Sequence, residues 1–316
     1  MLKIAVVGAG IIGKEHLKAL RRCDDLKLVA ICDINKETAS ALAAEYGVPY
    51  LPDYKDVPQK TDADAVLLNL PHALHCEAAT FFLEAGVHVF LEKPMAITVA
   101  ECDEMIAAAE RAKKVLAVGH LQRFFGVNRR VKAYAESGEL GRLFAINEIR
   151  SIGYFSPSRP KWFLSKKLSG GGIVMNYGAH ALDKVLYLTD SKIARVHAVC
   201  DNLQENMEIE GHAQFLAQTA SGVSATVTFS SYSNVGYETT YIFEKGALRV
   251  ENGSKLLLCR EGAWEQIPLP ADRDYMLLQL QEFAKLVRGE QSEMPDAKYG
   301  REIVKALEAI YAFEKK

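Results

Sequence analysis

No hydrophobic run in this 316-residue chain approaches the roughly 18 residues that a membrane-spanning helix requires, so no transmembrane helix is expected. Charge of one sign is equally lacking. Lys and Arg total 38 against 40 Asp and Glu, a formal net charge of −2, which leaves no basic excess for nucleic acid or for an anionic membrane surface. The chain has no secretory pattern at its start, since Met1–Val7 leads straight into a strand and a glycine turn. It also lacks a CxxC pair: Cys23, Cys32, Cys76, Cys102, Cys200 and Cys259 lie far apart, as expected for free thiols in a reducing, cytoplasmic setting. His72-x-x-His75-Cys76 is not accompanied by further ligand residues, so no metal site is expected there.

What is present is enough chain for two domains, with hydrophobic residues at 49% and charged residues at 25%. In the first part, short β-branched runs (Lys3–Val7, Lys27–Cys32, Ala65–Asn69, Val87–Leu91, Val115–Val118) alternate with stretches of helical period. That alternation predicts an α/β Rossmann domain over residues 1–122, a doubly wound parallel sheet with helices on both faces. Beyond it the texture changes. Runs at Phe144–Ile149, Ala194–Val199, Ala213–Leu216, Ser224–Phe229, Thr239–Phe243 and Lys255–Cys259, with turns such as Glu251-Asn252-Gly253, predict an α+β domain over residues 123–316 with a large, mostly antiparallel open sheet. Two helices, Tyr275–Val287 and Tyr299–Glu314, are expected to close it. The two halves are expected to pack closely, with the cleft between them as the ligand site.

Gly8-Ala9-Gly10-Ile11-Ile12-Gly13 follows the first strand and opens a helical pattern. In that context Gly8 suits a tight turn, Gly10 a close backbone approach to a pyrophosphate, and Gly13 close packing of helix on strand. Asp33, at the end of the second strand, has the spacing to accept hydrogen bonds from ribose hydroxyls and to repel a 2′-phosphate. NAD is therefore expected, with NADP left open by the nearby Asn35 and Lys36.

Two further clusters carry chemistry. Glu92-Lys93-Pro94 lies at the carboxyl end of a predicted strand, where an ammonium could stabilise an alkoxide or share a proton. After Gly170-Gly171-Gly172, a helix starting near Gly171 would set Asn176, His180 and Asp183 along one polar stripe. Arg123, Tyr154, Lys161 and Trp162 come from the inter-domain stretch and are candidates for the substrate or nicotinamide pocket.

Together these segments resemble the Gfo/Idh/MocA oxidoreductases, the group that contains glucose-fructose oxidoreductase and the inositol dehydrogenases. The resemblance runs from the glycine fingerprint through Pro71-His72-Ala73-Leu74-His75, Glu92-Lys93-Pro94, Arg123-Phe124 and Trp162 to the glycine triplet, Gly178-x-His180-x-x-Asp183, and the segment around Phe283, Gly289 and Gly300. It implies hydride transfer between nicotinamide and a secondary alcohol or carbonyl of a sugar, sugar derivative or cyclitol. By match, Lys93 orients the reacting hydroxyl, His180 is the general acid/base and Asn176 joins them. The implied cofactor contacts are Gly8, Gly10, Ile11, Ile12, Gly13, Asp33, Asn69, Pro71, His72, His75, Glu92, Lys93 and Gln122. The implied substrate contacts are Lys93, Arg123, Tyr154, Trp162, Asn176 and His180. The resemblance also implies a cis Lys93–Pro94 bond and a homodimer or homotetramer built on the second sheet. One position departs from it: Asn176 stands where inositol dehydrogenase-like members carry an aspartate. Two other functions on this fold stay open at the level of sequence, a non-catalytic NAD(P)-binding sensor and an NAD-dependent glycosidase.

Overall fold

The computed structural model describes residues 1–201, 207–269 and 274–314. Contacts divide the chain into two compact units, one of Met1–Leu121 with Asp274–Arg301 and one of Gln122–Arg273 with Glu302–Lys316.

The first unit is built on six parallel strands: β1 (Leu2–Val7), β2 (Leu26–Cys32), β3 (Tyr50–Leu51), β4 (Ala65–Leu68), β5 (His88–Glu92) and β6 (Leu116–Gly119). Their order is β3-β2-β1-β4-β5-β6, so the chain reverses its direction of travel between β1 and β4. Ligands of open α/β sheets bind at the carboxyl ends of strands flanking such a reversal. The strands read as continuous apolar runs because they are enclosed on both faces: Ile4–Val7, Ala65–Leu68 and Val89–Leu91 are at most 1% exposed. The helices that cover them begin on local signals. Thr98, for example, accepts the amide of Glu101 while Glu101 returns a carboxylate to Thr98, a capping box that starts the helix Val99–Ala112.

The second unit carries eight strands: β7 (Leu143–Ser151), β8 (Ile193–Asp201), β9 (His212–Thr219), β10 (Ser224–Ser230), β11 (Gly236–Phe243), β12 (Gly246–Glu251), β13 (Lys255–Arg260) and β14 (Ala263–Ile267). Their order is β14-β13-β12-β11-β7-β10-β9-β8, antiparallel at every step except the parallel pair β7–β10. Burial alternates along β9 and β10, so one face of the sheet is covered. Ile146, Tyr241, Leu248, Val250 and Leu256 on that face form a core with Val185 and Leu188 from the helix Ala179–Thr189. No helix among the described residues is long and apolar enough to cross a membrane.

The structure differs from the sequence expectations at three places. The segment Asp274–Arg301 belongs with the first unit, not with residues 123–316. Phe283, fully buried, meets the Phe90 ring edge-on at 5.4 Å, Arg288 reaches Asp25 at 2.9 Å, and Val118 donates to the Pro295 carbonyl at 3.0 Å. Strands β3, β12 and β14 were not anticipated, being short or weakly alternating. The helix expected from Gly171 is instead a π-turn over Val174–Gly178 followed by an α-helix over Ala179–Thr189. Because Phe283 holds the returning segment to β5, Phe283→Ala is expected to destabilise the protein by about 3–5 kcal/mol, read as a lower urea midpoint. A change under about 1 kcal/mol would show that the segment adds little to the first unit.

Candidate functional site

In the first unit the glycine loop is shaped by contacts that tolerate no side chain. Gly8 has φ +92°, and a Cβ there would stand 2.4 Å from the Asn69 carbonyl oxygen. A Cβ on Gly13 would stand 2.1 Å from the Gly8 oxygen. Gly10, by contrast, faces open space and is the N-cap of the helix Ile11–Leu20. Among the described residues no side chain caps that helix, and no acidic residue occupies its first turn, so its terminal N–H groups and partial positive charge are left for an anion. This cradle fits a dinucleotide pyrophosphate laid over Gly10, Ile11 and Ile12.

Asp33 closes the loop from the other side. Its Oδ2 accepts the Ala9 amide at 2.6 Å and its Oδ1 accepts the Asn35 amide at 2.8 Å. Each carboxylate oxygen retains a lone pair for a hydroxyl. Asn35 is engaged as the cap of the next helix, accepting from Thr38 at 3.1 Å. Ile34, 94% exposed between them, is an apolar surface that sequence reading passed over. Asn69 follows β4, donates to the Gly8 carbonyl at 3.2 Å, and has its Oδ1 enclosed without a partner among the described residues.

The turn that carries Lys93 is held from beneath. Glu92 ends β5, meets the fully buried His16 at 2.8 Å and accepts the Lys93 amide at 3.2 Å. Burial works to raise the Glu92 pKa, but His16 and Lys93 outweigh it and hold the carboxyl below its usual range. His75 faces the Pro94 carbonyl at 3.0 Å and the Leu70 carbonyl at 2.9 Å, and burial pushes its pKa down. The Lys93–Pro94 peptide is cis, as the resemblance implies. Lys93 itself is half-buried, while Glu92 is turned inward. His75 is fully enclosed and braces the turn. His72 lies nearby, 5% exposed, in the short turn His72–Leu74 that follows its N-cap Pro71.

In the second unit the glycine triplet again serves close contact. The Glu210 carboxylate accepts the Gly172 amide on both oxygens at 2.8 Å, the Val174 amide at 3.0 Å and the Tyr311 hydroxyl at 2.7 Å. A Cβ on Gly172 would stand 2.0 Å from the Glu210 carbonyl oxygen. Tyr311 in turn accepts the Met175 amide at 3.0 Å. Sequence reading missed Glu210 because no local motif announces it.

The π-turn redistributes the expected polar stripe. Asn176, 7% exposed, donates to the Tyr154 oxygen, and the Tyr154 hydroxyl donates to the Gly172 carbonyl at 3.1 Å. Asp183, 1% exposed, accepts from Arg123 at 2.7 Å, and the Arg123 guanidinium lies 5.2 Å from the Tyr187 ring centre. Only His180 of the three is half-buried, with the Tyr177 ring 6.2 Å away. Of the residues expected at the substrate, Tyr154 is fully enclosed and Arg123 is engaged in an interior ion pair. Trp162 stacks on Phe163 at 3.7 Å in the turn Lys161–Leu164, where Lys161 is exposed. Gln122 opens the second unit and its carbonyl accepts from Asn128 at 2.7 Å.

A sheet of this order with an uncapped, glycine-lined helix terminus at its reversal point defines a dinucleotide-binding fold. The chain belongs to the Gfo/Idh/MocA oxidoreductase family: residues 2–120 match its NAD-binding Rossmann-fold domain and residues 128–249 its C-terminal domain. It is 30% identical over 234 residues to a 1-carboxy-3-chloro-3,4-dihydroxycyclohexa-1,5-diene dehydrogenase of Comamonas testosteroni, covering 74% of this chain and 59% of that protein. It is 33% identical over 193 residues to D-glucoside 3-dehydrogenase of Escherichia coli K12, covering 59% of this chain and 54% of the relative. The chain thus spans between half and three-fifths of the length of these curated relatives. Among solved structures, the WlbA dehydrogenase of Bordetella pertussis in complex with NADH and UDP-GlcNAcA superposes with a TM-score of 0.87 at 25% identity, over 100% of this chain and 96% of that one.

The depressed pKa of Glu92 has a stability consequence. A carboxyl whose folded pKa lies below its unfolded value stabilises the fold above the unfolded pKa, about 4.3, and loses that contribution as pH falls through the folded pKa. Glu92→Gln is therefore expected to be less stable than the parent at pH 7 and 5, with the gap closing below about pH 4 in urea titrations. A gap that stays constant to pH 3 would show that Glu92 is not held ionised by His16 and Lys93.

Proposed function

We propose that the protein is an NAD-dependent dehydrogenase or reductase acting at a secondary alcohol or carbonyl of a polyhydroxylated small molecule. The observation that carries this reading is the open helix terminus at Gly10 together with the Asp33 carboxylate at the end of β2. Gly10, Ile11 and Ile12 would hold the pyrophosphate, Asp33 the adenosine ribose, and Ile34 one face of the purine. Asp33 disfavours a 2′-phosphate, which is why NAD is preferred to NADP. Bound NAD supplies a hydride acceptor at C4 of its nicotinamide.

The chain's own residues supply the rest. The Lys93 ammonium, on a turn fixed by Glu92 and His75, donates to the reacting hydroxyl oxygen and lowers its pKa. The His180 imidazole takes the hydroxyl proton during oxidation and returns it during reduction. Asn176 is a positioning residue, held through Tyr154. The relatives' names support the substrate class: one is a D-glucoside dehydrogenase, another acts on a dihydroxylated ring.

We further propose that the protein is a homo-oligomer formed through the open face of the second sheet, which exposes Ile149 at 55%, Val199 at 65%, Leu216 at 40% and Ile242 at 38%. Light scattering is expected to give a multiple of the 34.9 kDa chain mass, and Ile149→Glu to lower it. A monomer in the unmodified protein would remove this part of the reading.

The direct test of activity is a panel of sugars and polyols with NAD and NADP, followed at the nicotinamide absorbance. Lys93→Ala is expected to leave NAD binding nearly intact while kcat falls by about 100-fold or more, the mark of an interaction made in the transition state. Asp33→Ala is expected to weaken NAD more than NADP. Full activity in Lys93→Ala would eliminate the mechanism, and equal losses for both cofactors would eliminate the role given to Asp33.

A further inference from the structure

Three charged side chains lie inside the second unit, against the covered face of its sheet. Glu148 and Arg150 stand two residues apart on β7 and so point to the same side, while Lys184 comes from the helix Ala179–Thr189. All are at most 5% exposed. Lys184 uses its three donors on Glu148 Oε2 at 2.6 Å, the Tyr237 hydroxyl at 2.7 Å and Thr239 Oγ1 at 3.1 Å. These two opposite charges cancel. Burial opposes both, yet their mutual attraction holds the Glu148 carboxyl low and the Lys184 ammonium high, so both remain ionised.

Arg150 is left as the surplus charge. Its Nη2 stands 3.3 Å from Glu148 Oε1, an oxygen that holds no hydrogen bond among the described residues. Its Nε is enclosed and has no acceptor among the described residues either. The rings of Tyr177 and Tyr237 flank the guanidinium at 4.7 and 4.1 Å. Aromatic faces attract a cation but do not satisfy its directed N–H groups. The cluster therefore carries one net positive charge in the interior, on a group that cannot lose its proton. A buried cation whose single anionic neighbour is already shared with Lys184 is incompletely compensated, and a guanidinium is the side chain best shaped to take a carboxylate or phosphate through paired N–H groups. The site is close to the reacting end of this unit. Tyr177, which covers Arg150, follows Asn176 in the π-turn, and its ring lies 6.2 Å from that of His180.

We propose that Arg150 is a specificity-determining residue that binds an anionic group, a carboxylate or a phosphate, on the substrate, so that the protein selects acidic sugar derivatives over neutral ones. This rests on the assignment of His180 to the reacting hydroxyl. Glu148 does not repel the anion because Lys184 neutralises it.

Three ligands on one ring scaffold separate the cases: D-glucose, D-glucuronate and D-glucose 6-phosphate. They are offered to the NAD-loaded protein at fixed ionic strength. Melting temperature is read for binding and nicotinamide absorbance for turnover. One of the two anions is expected to raise Tm where glucose at equal concentration does not, and to exceed glucose in kcat/KM by at least about tenfold. Which anion responds tells carboxylate from phosphate. Arg150→Met is expected to erase that preference, read as the ratio of kcat/KM for the anion to that for glucose, and Arg150→Lys to restore part of it. If Arg150→Met does not fold, the comparison of the three ligands on the unmodified protein decides alone. Equal binding and turnover of glucose and both anions, no anion-dependent shift in Tm, or an unchanged preference in Arg150→Met would each overturn the proposal. An anion bound through Arg150 without NADH formation would sustain it and count against hydride transfer. Turnover without anion preference would do the reverse.

Discussion

The carboxylate of Glu210 sets where the functional helix of the second unit begins, and the rest of that unit's chemistry depends on it. Buried side chains of this type are normally paired with a cation. Here the partners are the amides of Gly172 and Val174 and the hydroxyl of Tyr311. Burial raises its pKa while those donors pull the other way, as expected for an anion received by a helix N-terminus. The contact is close enough that Gly172 has no room for a Cβ beside the Glu210 backbone. Fixing Gly172 fixes its carbonyl, which receives Tyr154 and the Asn176 amide. The π-turn and His180 follow from that anchored start.

The first unit uses the same device on different backbone. Asp33 holds the amides of Ala9 and Asn35, and Glu92 holds the amide of Lys93. In each case a carboxylate at or just beyond a strand end fixes a turn whose own side chains are free of that duty. The arrangement lets a flexible lysine and an uncapped helix terminus be presented from rigid backbone, and precision at these positions is what orientation effects in catalysis require. Glu210 lies further along the chain from its turn than either, and unlike Asp33 it follows no recognisable spacing.

That distance explains what sequence could and could not disclose. The glycine fingerprint and the parallel strands are local patterns, and Asp33 stands at a fixed spacing from the glycines, so all three stand in the structure where the sequence puts them. The return of Tyr275–Val287 to the first unit was hidden, because an amphipathic helix does not state which sheet it covers. What a polar residue touches was hidden too. Tyr154 and Arg123 have the chemistry of a binding pocket, yet one is enclosed under the Gly172 carbonyl and the other under Asp183. His75 similarly has two nitrogens suited to a ligand, and both face backbone carbonyls. The π-turn was illegible for another reason: the 3.6-residue period assumed for Asn176, His180 and Asp183 fails once a single extra residue enters the turn.

The asparagine that departs from the family resemblance has a local physical reason. The Tyr154 hydroxyl has a single proton, and it is committed to the Gly172 carbonyl. What remains on that oxygen is lone-pair density, which only a donor can meet. The Asn176 amide is a donor; an ionised aspartate at the same position would set a carboxylate against the tyrosine oxygen in a site 7% exposed. Tyr154 and Asn176 are therefore a matched pair, and replacing the asparagine alone would leave two acceptors facing each other. Since Gly172 is fixed by Glu210, Tyr154 cannot turn its proton toward position 176 without abandoning the carbonyl that starts the helix. The amide at position 176 is thus imposed by the anchoring of that helix, before any contact with substrate is considered.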